Sequence, residues 1–236
     1  MIDKQVPDMA AALADIGDGA SVLVGGFGAV GQPNALIDAL ALSGVRNLTV
    51  IANNAGFEPQ TGLGKLIGSG AVSKLICSFP RGSTAFDARY EKGEIELEVV
   101  PQGTLAERIR AAGAGVGAFY TPTGAGTRLA EGKETRNIGG RDHVLEYALG
   151  ADVALIQAYT ADRWGNLTYK GSGRNFNPIM AMAGRLTIVQ VASIAPLGEL
   201  DPNIIVTPGI FVNRVLTVAG GDPPLATTSA SKEGAR

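Results

Sequence analysis

The residues that could do chemistry in this chain begin with a glycine-rich stretch, Gly25 to Pro33. Its centre, Gly26 to Gly31, follows an apolar run and fits the pattern G-x-G-x-x-G, in which bare backbone and a helix N-terminus hold the diphosphate of a dinucleotide. Two features disagree with that function. Pro33 suits the first position of a helix, so the helix begins beyond Gly31, too late for a dinucleotide site. A ribose-binding acid is expected about 20 residues further on, where this chain has Asn53 and Asn54 instead.

The sequence therefore argues against a nicotinamide or flavin site. What remains is a strand, a loop of bare backbone and the N-terminus of a helix. Such a loop can accept a phosphate or let a long ligand approach the backbone closely. It can equally be a tight turn that binds nothing, and the pattern alone leaves both alternatives open.

Composition excludes several functional classes. Of the 236 residues, 45% are hydrophobic and 18% are charged, as in an ordinary soluble globular protein. The net charge is -2 and no cluster of lysine or arginine is present, so we expect no nucleic-acid partner. The stretch between Arg110 and Arg128 is uncharged, but its glycines and Pro122 argue against a membrane-spanning helix. We therefore expect no membrane association.

Several single residues are read as structural. Cys77 is the only cysteine, and residues 1–8 lack the basic and apolar regions of a signal peptide, so we expect a cytoplasmic protein in which Cys77 is a small core residue. His143 is the only histidine, which excludes a multi-histidine metal site, and no metal is expected. Asp142 and Glu146 beside it suggest the start of a helix. We expect Trp164 to pack in the protein or to line a subunit interface.

Short β-branched runs alternate with helical patterns, which predicts an α/β fold with a mainly parallel sheet and helices on both faces. The predicted strands are Ser21–Val24, Leu48–Ile51, Lys74–Cys77, Ile95–Val100, Asp152–Gln157, Leu186–Val191 and Ile204–Val206. The predicted helices are Asp8–Ile16, Asn34–Leu42, Ala85–Lys92, Thr104–Ala112 and Asn177–Ala183.

Two segments have distinctive patterns. Glu94 to Glu98 alternates between charged and apolar residues, so we expect a strand that shows one face to water, either at an edge of the sheet or opposite a partner, with its three glutamates as the solvated face. Residues 220–236 contain almost nothing to bury, and we expect a disordered tail after one domain that spans residues 1–219.

Five motifs occur in the order seen in a known family. They are Asp18–Pro33, Asn53–Gly56, Pro101–Arg110, Tyr120–Thr127 and Arg174–Pro178. Together they resemble the A (alpha) subunits of the family I coenzyme A transferases, over residues of about 10 to 218. The resemblance implies that family's NagB/RpiA-like α/β fold.

Further stretches resemble one branch of the family, whose members act on 3-oxoadipate. These are Cys77–Arg81, Asp162–Tyr169 and Thr207–Val212. The resemblance implies transfer of coenzyme A from succinyl-CoA to a 3-oxo acid, with 3-oxoadipate of the β-ketoadipate pathway of aromatic degradation as the first candidate. An acetoacetate-type or acetate-type A subunit is an alternative because the main motifs are shared. A non-catalytic ligand-binding domain of the same fold, such as a sugar-phosphate sensor, is another.

The family's mechanism implies a missing nucleophile. A glutamate of the enzyme attacks the acyl-CoA thioester to give an anhydride, which the released thiolate converts to a glutamyl thioester. In two-subunit members this glutamate belongs to the B (beta) subunit, in a Ser-Glu-Asn-Gly-like turn that this sequence lacks. Glu91-Lys92-Gly93 is only superficially similar and looks like a solvated helix end. We therefore expect no catalytic residue here, no permanently bound cofactor, a coenzyme A thioester as co-substrate, and a partner that is the B (beta) subunit.

The resemblance also assigns site residues. It makes a coenzyme-side loop of Gly25, Gly26, Phe27, Gly28, Ala29, Val30 and Gly31. Asn53, Asn54 and Gln102 match positions facing the glutamate and the substrate, where neutral amides can hydrogen-bond a carboxylate or an oxyanion without titrating. The structural alternative is that the asparagines form a turn and Gln102 caps a loop. A second carboxylate, as in 3-oxoadipate, needs an anchor such as a bidentate arginine, and the candidates are Arg81, Arg163 and Arg174.

Overall fold

The computed structural model describes residues 2–57 and 60–218. In chain order the strands are β1 (Ser21–Val24), β2 (Leu48–Asn54), β3 (Val72–Phe79), β4 (Glu96–Val99), β5 (Ala118–Thr121), β6 (Thr135–Ile138), β7 (Arg141–Tyr147), β8 (Ala151–Asp162), β9 (Leu167–Thr168), β10 (Gly184–Ala195) and β11 (Arg214–Thr217). The α-helices are α1 (Met9–Leu13), α2 (Asn34–Leu42), α3 (Gly62–Gly68), α4 (Thr84–Tyr90), α5 (Gln102–Gly113) and α6 (Asn177–Ala183).

One large sheet organises the molecule. Its strand order is β11-β10-β8-β1-β2-β3-β4, all parallel, and β9 adds an antiparallel pairing to β8. Val24, the last residue of β1, lies between Ala52 of β2 and Leu155 of β8. Because the strands are parallel, the carboxyl ends of β1, β2 and β3 meet at one edge, which is where an open α/β sheet binds its ligands.

The core has two halves, one on each face of the sheet. Helices α1 to α4 cover one face with side chains such as Leu36, Leu66 and Phe86. Helices α5 and α6 cover the other face, with Leu105 and Met180 fully buried. The predicted fold class, a mainly parallel sheet with helices on both faces, is therefore confirmed.

The edge position of the strand around Glu96 is also confirmed, because β4 ends the sheet. Glu94 and Glu96 are exposed and Glu98 is partly buried, which agrees with the predicted solvated face, and both glutamates of β4 have a cationic partner. Glu96 lies 2.8 Å from Lys74, its neighbour on β3, and Glu98 lies 2.9 Å from Arg108 of α5.

Two predictions were wrong. The segment around His143 does not begin a helix but forms β7, because it pairs with both β5 and β6 in a separate three-stranded antiparallel sheet. Ile204–Val206 is not a strand; residues Pro202–Ile204 form a 3₁₀ turn that begins where the Asp201 side chain accepts the N–H of Asn203.

The predicted tail, 220–236, lies outside the described residues. Within the described part of the chain, no helix is long and apolar enough to cross a membrane.

Candidate functional site

The glycine-rich stretch forms a small hairpin at the carboxyl end of β1. The N–H groups of Phe27 and Val30 each donate to the other residue's carbonyl oxygen, at 3.0 and 3.1 Å. Gly28 has a φ of 61°, which suits a glycine at the first position of a two-residue hairpin turn. The side chains of Phe27 and Val30 are 53% and 37% exposed. The hairpin therefore presents apolar groups outward, beside a bare turn.

The helix that follows does not offer a free N-terminus. Pro33 was expected at the first position of the helix, but it is the N-cap of α2, one residue before that position. The N–H groups of Ala35 and Leu36 both donate to Oε1 of Gln190 on β10, at 3.1 and 3.2 Å. Because a protein side chain already occupies these donors, they do not form the cradle in which a dinucleotide fingerprint holds a diphosphate.

A chain of amides starts at the turn and ends at α5. The N–H of Gly28 donates to Oδ1 of Asn53 at 3.3 Å, and Nδ2 of Asn53 donates to Oε1 of Gln102 at 2.9 Å. Nδ2 of Asn54 donates to the carbonyl oxygen of Gly28 at 3.3 Å, and Oδ1 of Asn54 accepts the N–H of Gly56 at 2.7 Å. The structure thus brings Asn53, Asn54 and Gln102 together with the glycine-rich turn.

Because a backbone N–H requires an acceptor, Gly28 fixes the orientation of the Asn53 amide, and Asn53 in turn fixes that of Gln102. Nε2 of Gln102 is consequently the outward end, and among the described residues it has no hydrogen-bond partner. Asn53 is 6% exposed, and Gln102, the first residue of α5, is half-buried. The arrangement delivers one oriented, uncharged donor to the carboxyl edge of the sheet. Asn53 and Asn54 end a strand rather than forming a turn.

The three candidate arginines lie in different places. Arg81 is exposed and follows β3 by two residues, and Phe79 of β3 lies beside Asn54. Arg174 is exposed and directly precedes Asn175, whose side chain donates to the carbonyl oxygen of Val30 at 3.0 Å. Both therefore lie near the turn.

Arg163, by contrast, directly follows the long strand β8 and lies eight residues beyond Leu155. At about 3.3 Å per residue, that places it roughly 25 Å from the end of β1. Its Nε atom is buried without a hydrogen-bond partner in the described structure. The structure therefore does not bring Arg163 to the turn.

Other residues singled out in the sequence lie outside the cluster of amides. Burial raises the pKa of the Cys77 thiol to about 11, although a backbone hydrogen bond at Phe79 acts against it, and the side chain is fully buried, as predicted. Glu91 is exposed at the C-terminal end of α4, a helix that starts at the carboxyl edge and runs away from it. Trp164 is 43% exposed. No group of three or more metal-binding side chains occurs within residues 2–57 and 60–218.

Two residues of this region were missed in the sequence. Gln32 donates from Nε2 to the carbonyl oxygen of Gly28 at 2.7 Å, and Gln190 binds the start of α2. A buried glutamine inside a predicted strand is unusual and could have marked Gln190 as a residue with a specific partner.

Comparison with known proteins gives this geometry a family. A model described as coenzyme A transferase matches residues 6–217. The chain therefore belongs to the coenzyme A transferase family, as the five motifs indicated.

The relatives narrow the class further. The chain is 58% identical to the A subunit of 3-oxoadipate CoA-transferase from Pseudomonas putida, over 93% of this chain and 96% of the relative. It is 52% identical to the A subunit of succinyl-CoA:3-ketoacid coenzyme A transferase from Xanthomonas campestris, over 90% and 88%. Among solved structures, an acyl-CoA transferase of Escherichia coli O157:H7, in a thioester complex with CoA, superposes with a TM-score of 0.81 at 22% identity. The match covers 95% of this chain but 51% of that protein, so this chain spans about half its length.

Proposed function

We propose that this chain is the A (alpha) subunit of a coenzyme A transferase that moves coenzyme A from succinyl-CoA to a 3-oxo acid, with 3-oxoadipate as the first acceptor. The glycine-rich hairpin would form the coenzyme-side loop, and Asn53, Asn54 and Gln102 would form one wall of the reaction site. No catalytic nucleophile is assigned to this chain. The nucleophilic glutamate would belong to a B (beta) subunit.

The observation that carries the proposal is the oriented donor of Gln102. When a carboxylate attacks a thioester, negative charge develops on the thioester's carbonyl oxygen. A preorganised neutral donor stabilises that oxygen more in the transition state than in the ground state. Because it carries no charge and is not nucleophilic, an amide does not compete with the glutamate. The buried asparagine behind Gln102 holds this donor in one orientation before substrate binds.

The missing half of the site is supported by two further observations. The carboxyl edge exposes the side chains of Phe27, Phe57 and Phe79, which are 53%, 41% and 49% accessible. A second chain or an acyl-CoA would bury such an apolar rim around the amides. The E. coli protein with the same fold is also about twice as long as this chain. In the proposed assembly, a separate beta subunit supplies what the longer protein holds in one chain.

The choice of acceptor rests on the relatives' names and on two arginines. 3-Oxoadipate has a second carboxylate that acetoacetate lacks, and Arg81 and Arg174 lie near the turn where a bidentate anchor would be useful. The name of the Xanthomonas campestris relative specifies only a 3-ketoacid, so an acetoacetate-type enzyme is the second candidate. A cytoplasmic location remains our expectation, based on the single cysteine.

The test is to co-express this chain with a beta chain of the same organism that carries the Ser-Glu-Asn-Gly-like turn, and to purify the complex. The complex should transfer coenzyme A from succinyl-CoA to 3-oxoadipate with a higher kcat/KM than to acetoacetate or acetate. Each chain alone should be inactive. Activity of this chain by itself would contradict the assignment of roles.

Intact-mass analysis locates the covalent intermediate. With succinyl-CoA present and no acceptor acid, the beta chain should gain the mass of a coenzyme A thioester, and this chain should keep its original mass. A coenzyme A adduct on this chain would place the nucleophile here and refute the proposal. A preference for acetoacetate would retain the transferase but replace the acceptor.

A further inference from the structure

Apart from Arg174, the candidate anchor, the motif Arg174–Pro178 has no role in the site as described, yet it lies directly behind the glycine-rich turn. Its Asn177, the first residue of α6, is 0% exposed. Oδ1 of Asn177 accepts the N–H of Gln157 on β8 at 2.9 Å. Its Nδ2 donates to the carbonyl oxygens of Gly31 and Gly173, at 3.0 and 2.9 Å. One side chain therefore joins β8, the turn and the segment before α6.

The glycines at the two ends of the turn fit this contact. A Cβ atom on Gly25 would lie 1.9 Å from Oδ1 of Asn177, which is impossible without movement. A Cβ atom on Gly31 would lie 2.5 Å from the carbonyl oxygen of Gly173 and 3.1 Å from Nδ2 of Asn177, and Gly31 has a φ of 70°. These two positions therefore lack side chains because Asn177 and its neighbours occupy the space, and not because a ligand does.

The sheet explains why an asparagine is needed at this point. The N–H of Gly25 makes the last parallel bond from β1 to β8, to the carbonyl oxygen of Leu155 at 2.9 Å. In a continued parallel ladder, the next donor on β8, the N–H of Gln157, would reach the carbonyl oxygen of Gly25. The N–H of Gln157 instead bonds Oδ1 of Asn177. Asn177 thus replaces the ladder at the point where β1 turns away to form the hairpin.

We propose that Asn177 is a positioning residue for the transfer reaction, acting through the turn without touching substrate. It holds Gly31, and with it the hairpin, at the distance where the N–H of Gly28 reaches Asn53. That contact sets the orientation of Gln102. The inference rests on the proposed function for its kinetic readout, but the structural effect on the turn can be measured without any reaction.

The experiment uses the complex of this chain with its beta partner, carrying Asn177→Ala, Gly25→Ala or both changes. Each single change should lower kcat/KM for succinyl-CoA at least about tenfold, because small misplacement of a catalytic group costs up to about a hundredfold. Replacing Asn177 with alanine removes the three atoms nearest to a Cβ at position 25. The double variant should therefore be more active than Gly25→Ala alone.

Thr187→Val is the matched control. It removes another fully buried side-chain hydrogen bond at α6, from Thr187 to the carbonyl oxygen of Ala181, without affecting the turn. It should reduce thermal stability but leave kcat/KM unchanged. If Asn177→Ala, like the control, loses stability but keeps its kcat/KM, Asn177 is merely structural and the proposal is wrong. The proposal is also wrong if the loss of kcat/KM in the double variant equals the product of the losses in the two single variants.

Hydrogen–deuterium exchange of peptides covering residues 25–33 gives the second readout. Exchange there should be faster in Asn177→Ala than in the wild type, and unchanged in Thr187→Val. If the alanine variant does not assemble, Asn177→Asp can be used instead. It keeps the acceptor for the N–H of Gln157 but loses both N–H donors to Gly31 and Gly173, so exchange in the turn should again be faster than in the wild type. Unchanged exchange in the turn would overturn the proposal. A wild-type complex without transferase activity would instead refute the proposed function, and the exchange result would still decide the role of Asn177.

Discussion

Replacing Gln102 with glutamate would change the outward end of the amide chain and keep its inner end. Oε1 of the new side chain could still accept from Nδ2 of Asn53, as it does now at 2.9 Å. The outward Nε2 donor, however, would become a second oxygen, and a half-buried glutamate at this edge carries negative charge at pH 7. Under the proposed function, that oxygen would face the position where negative charge develops.

The expected magnitudes follow from these contacts. Loss of one oxyanion donor lowers kcat by about 10²–10³-fold, which is roughly 2.7–4 kcal/mol of transition-state stabilisation. Stability should hardly change, because the hydrogen bond to Asn53 is kept and the N-terminus of α5 favours a negative charge, which offsets the cost of partly burying it. Gln102→Glu should therefore be a nearly inactive protein with a normal Tm.

Gln102→Ala should behave in the opposite way. It removes the acceptor and leaves Nδ2 of Asn53, in a side chain that is 6% exposed, without a partner. An unsatisfied buried donor costs about 1–3 kcal/mol, and each kcal/mol lowers Tm by roughly 2–4 °C in a domain of this size. Its activity should exceed that of Gln102→Glu, since it loses the donor but adds no repulsion. The two variants should thus rank in opposite orders for stability and for activity.

The assay is initial-rate transfer from succinyl-CoA to 3-oxoadipate by the purified two-subunit complex, with Tm measured on the same samples. Glu107→Gln, on the same helix and in a side chain that is 40% accessible, serves as a control for altered charge and should affect neither quantity strongly. If Gln102→Glu keeps wild-type kcat, Gln102 is not an oxyanion donor. If alanine is worse than glutamate in both respects, Gln102 is only a structural cap for α5.

Three other predictions follow from the electrostatics. Because the pKa of the buried Cys77 thiol is raised to about 11, Cys77 should resist iodoacetamide at pH 8 in the folded protein and react after unfolding in urea. Equal labelling rates in the two states would contradict this. The contribution of the neutral thiol to the free energy of unfolding should be complete below about pH 9 and decline toward pH 11. Burial opposes ionisation of Glu98, but Arg108 and Lys74 outweigh it and lower the pKa of Glu98 below its ordinary value. Glu98→Gln should therefore reduce Tm at pH 7 by about 1–3 °C, and this difference from the wild type should disappear as the pH falls through the pKa of Glu98 in the folded protein. A difference that persists in acid would refute the ion pair as its cause. Arg81→Ala or Arg174→Ala should raise KM for 3-oxoadipate more than for acetoacetate, whereas Arg163→Ala should affect both alike; an arginine with equal effects on both acids is not the anchor.

Most of the sheet could be predicted because its strands carry local signals. β1 and α2 have the predicted bounds, since a short apolar run ends in glycines and Pro33 marks the start of a helix. α6 also has its predicted bounds. β8 and β10 were predicted too short because both strands extend beyond their apolar centres as a paired arm, as far as Asp162 and Ala195.

Other elements could not be recognised from local patterns. β6 is exposed along its whole length and shows no alternation, so its pairing with β7 determines it. Helix α3 contains three glycines, each of which lowers helix propensity by about 1 kcal/mol. The structure explains one of them: Gly62 has a φ of 52°, and a Cβ there would lie 2.5 Å from Oδ1 of Asn34 and 2.7 Å from Oε1 of Gln32. Close approach of two chain segments, and not helix propensity, determines that residue.

In the candidate site, local sequence patterns are an even weaker guide to structure than in these strands and helices. The local sequence of Gly26 to Gly31 fits a dinucleotide fingerprint. Pro33 and Asn53 argue against a dinucleotide site, but they do not indicate what the turn does instead. What decides the matter are contacts from far along the chain. Gln190 occupies the N–H groups that a diphosphate would need, and Asn177 occupies the space that the end glycines leave. The same glycine pattern can therefore bind a diphosphate in one protein and a buried asparagine in another, because the pattern specifies only where side chains are missing.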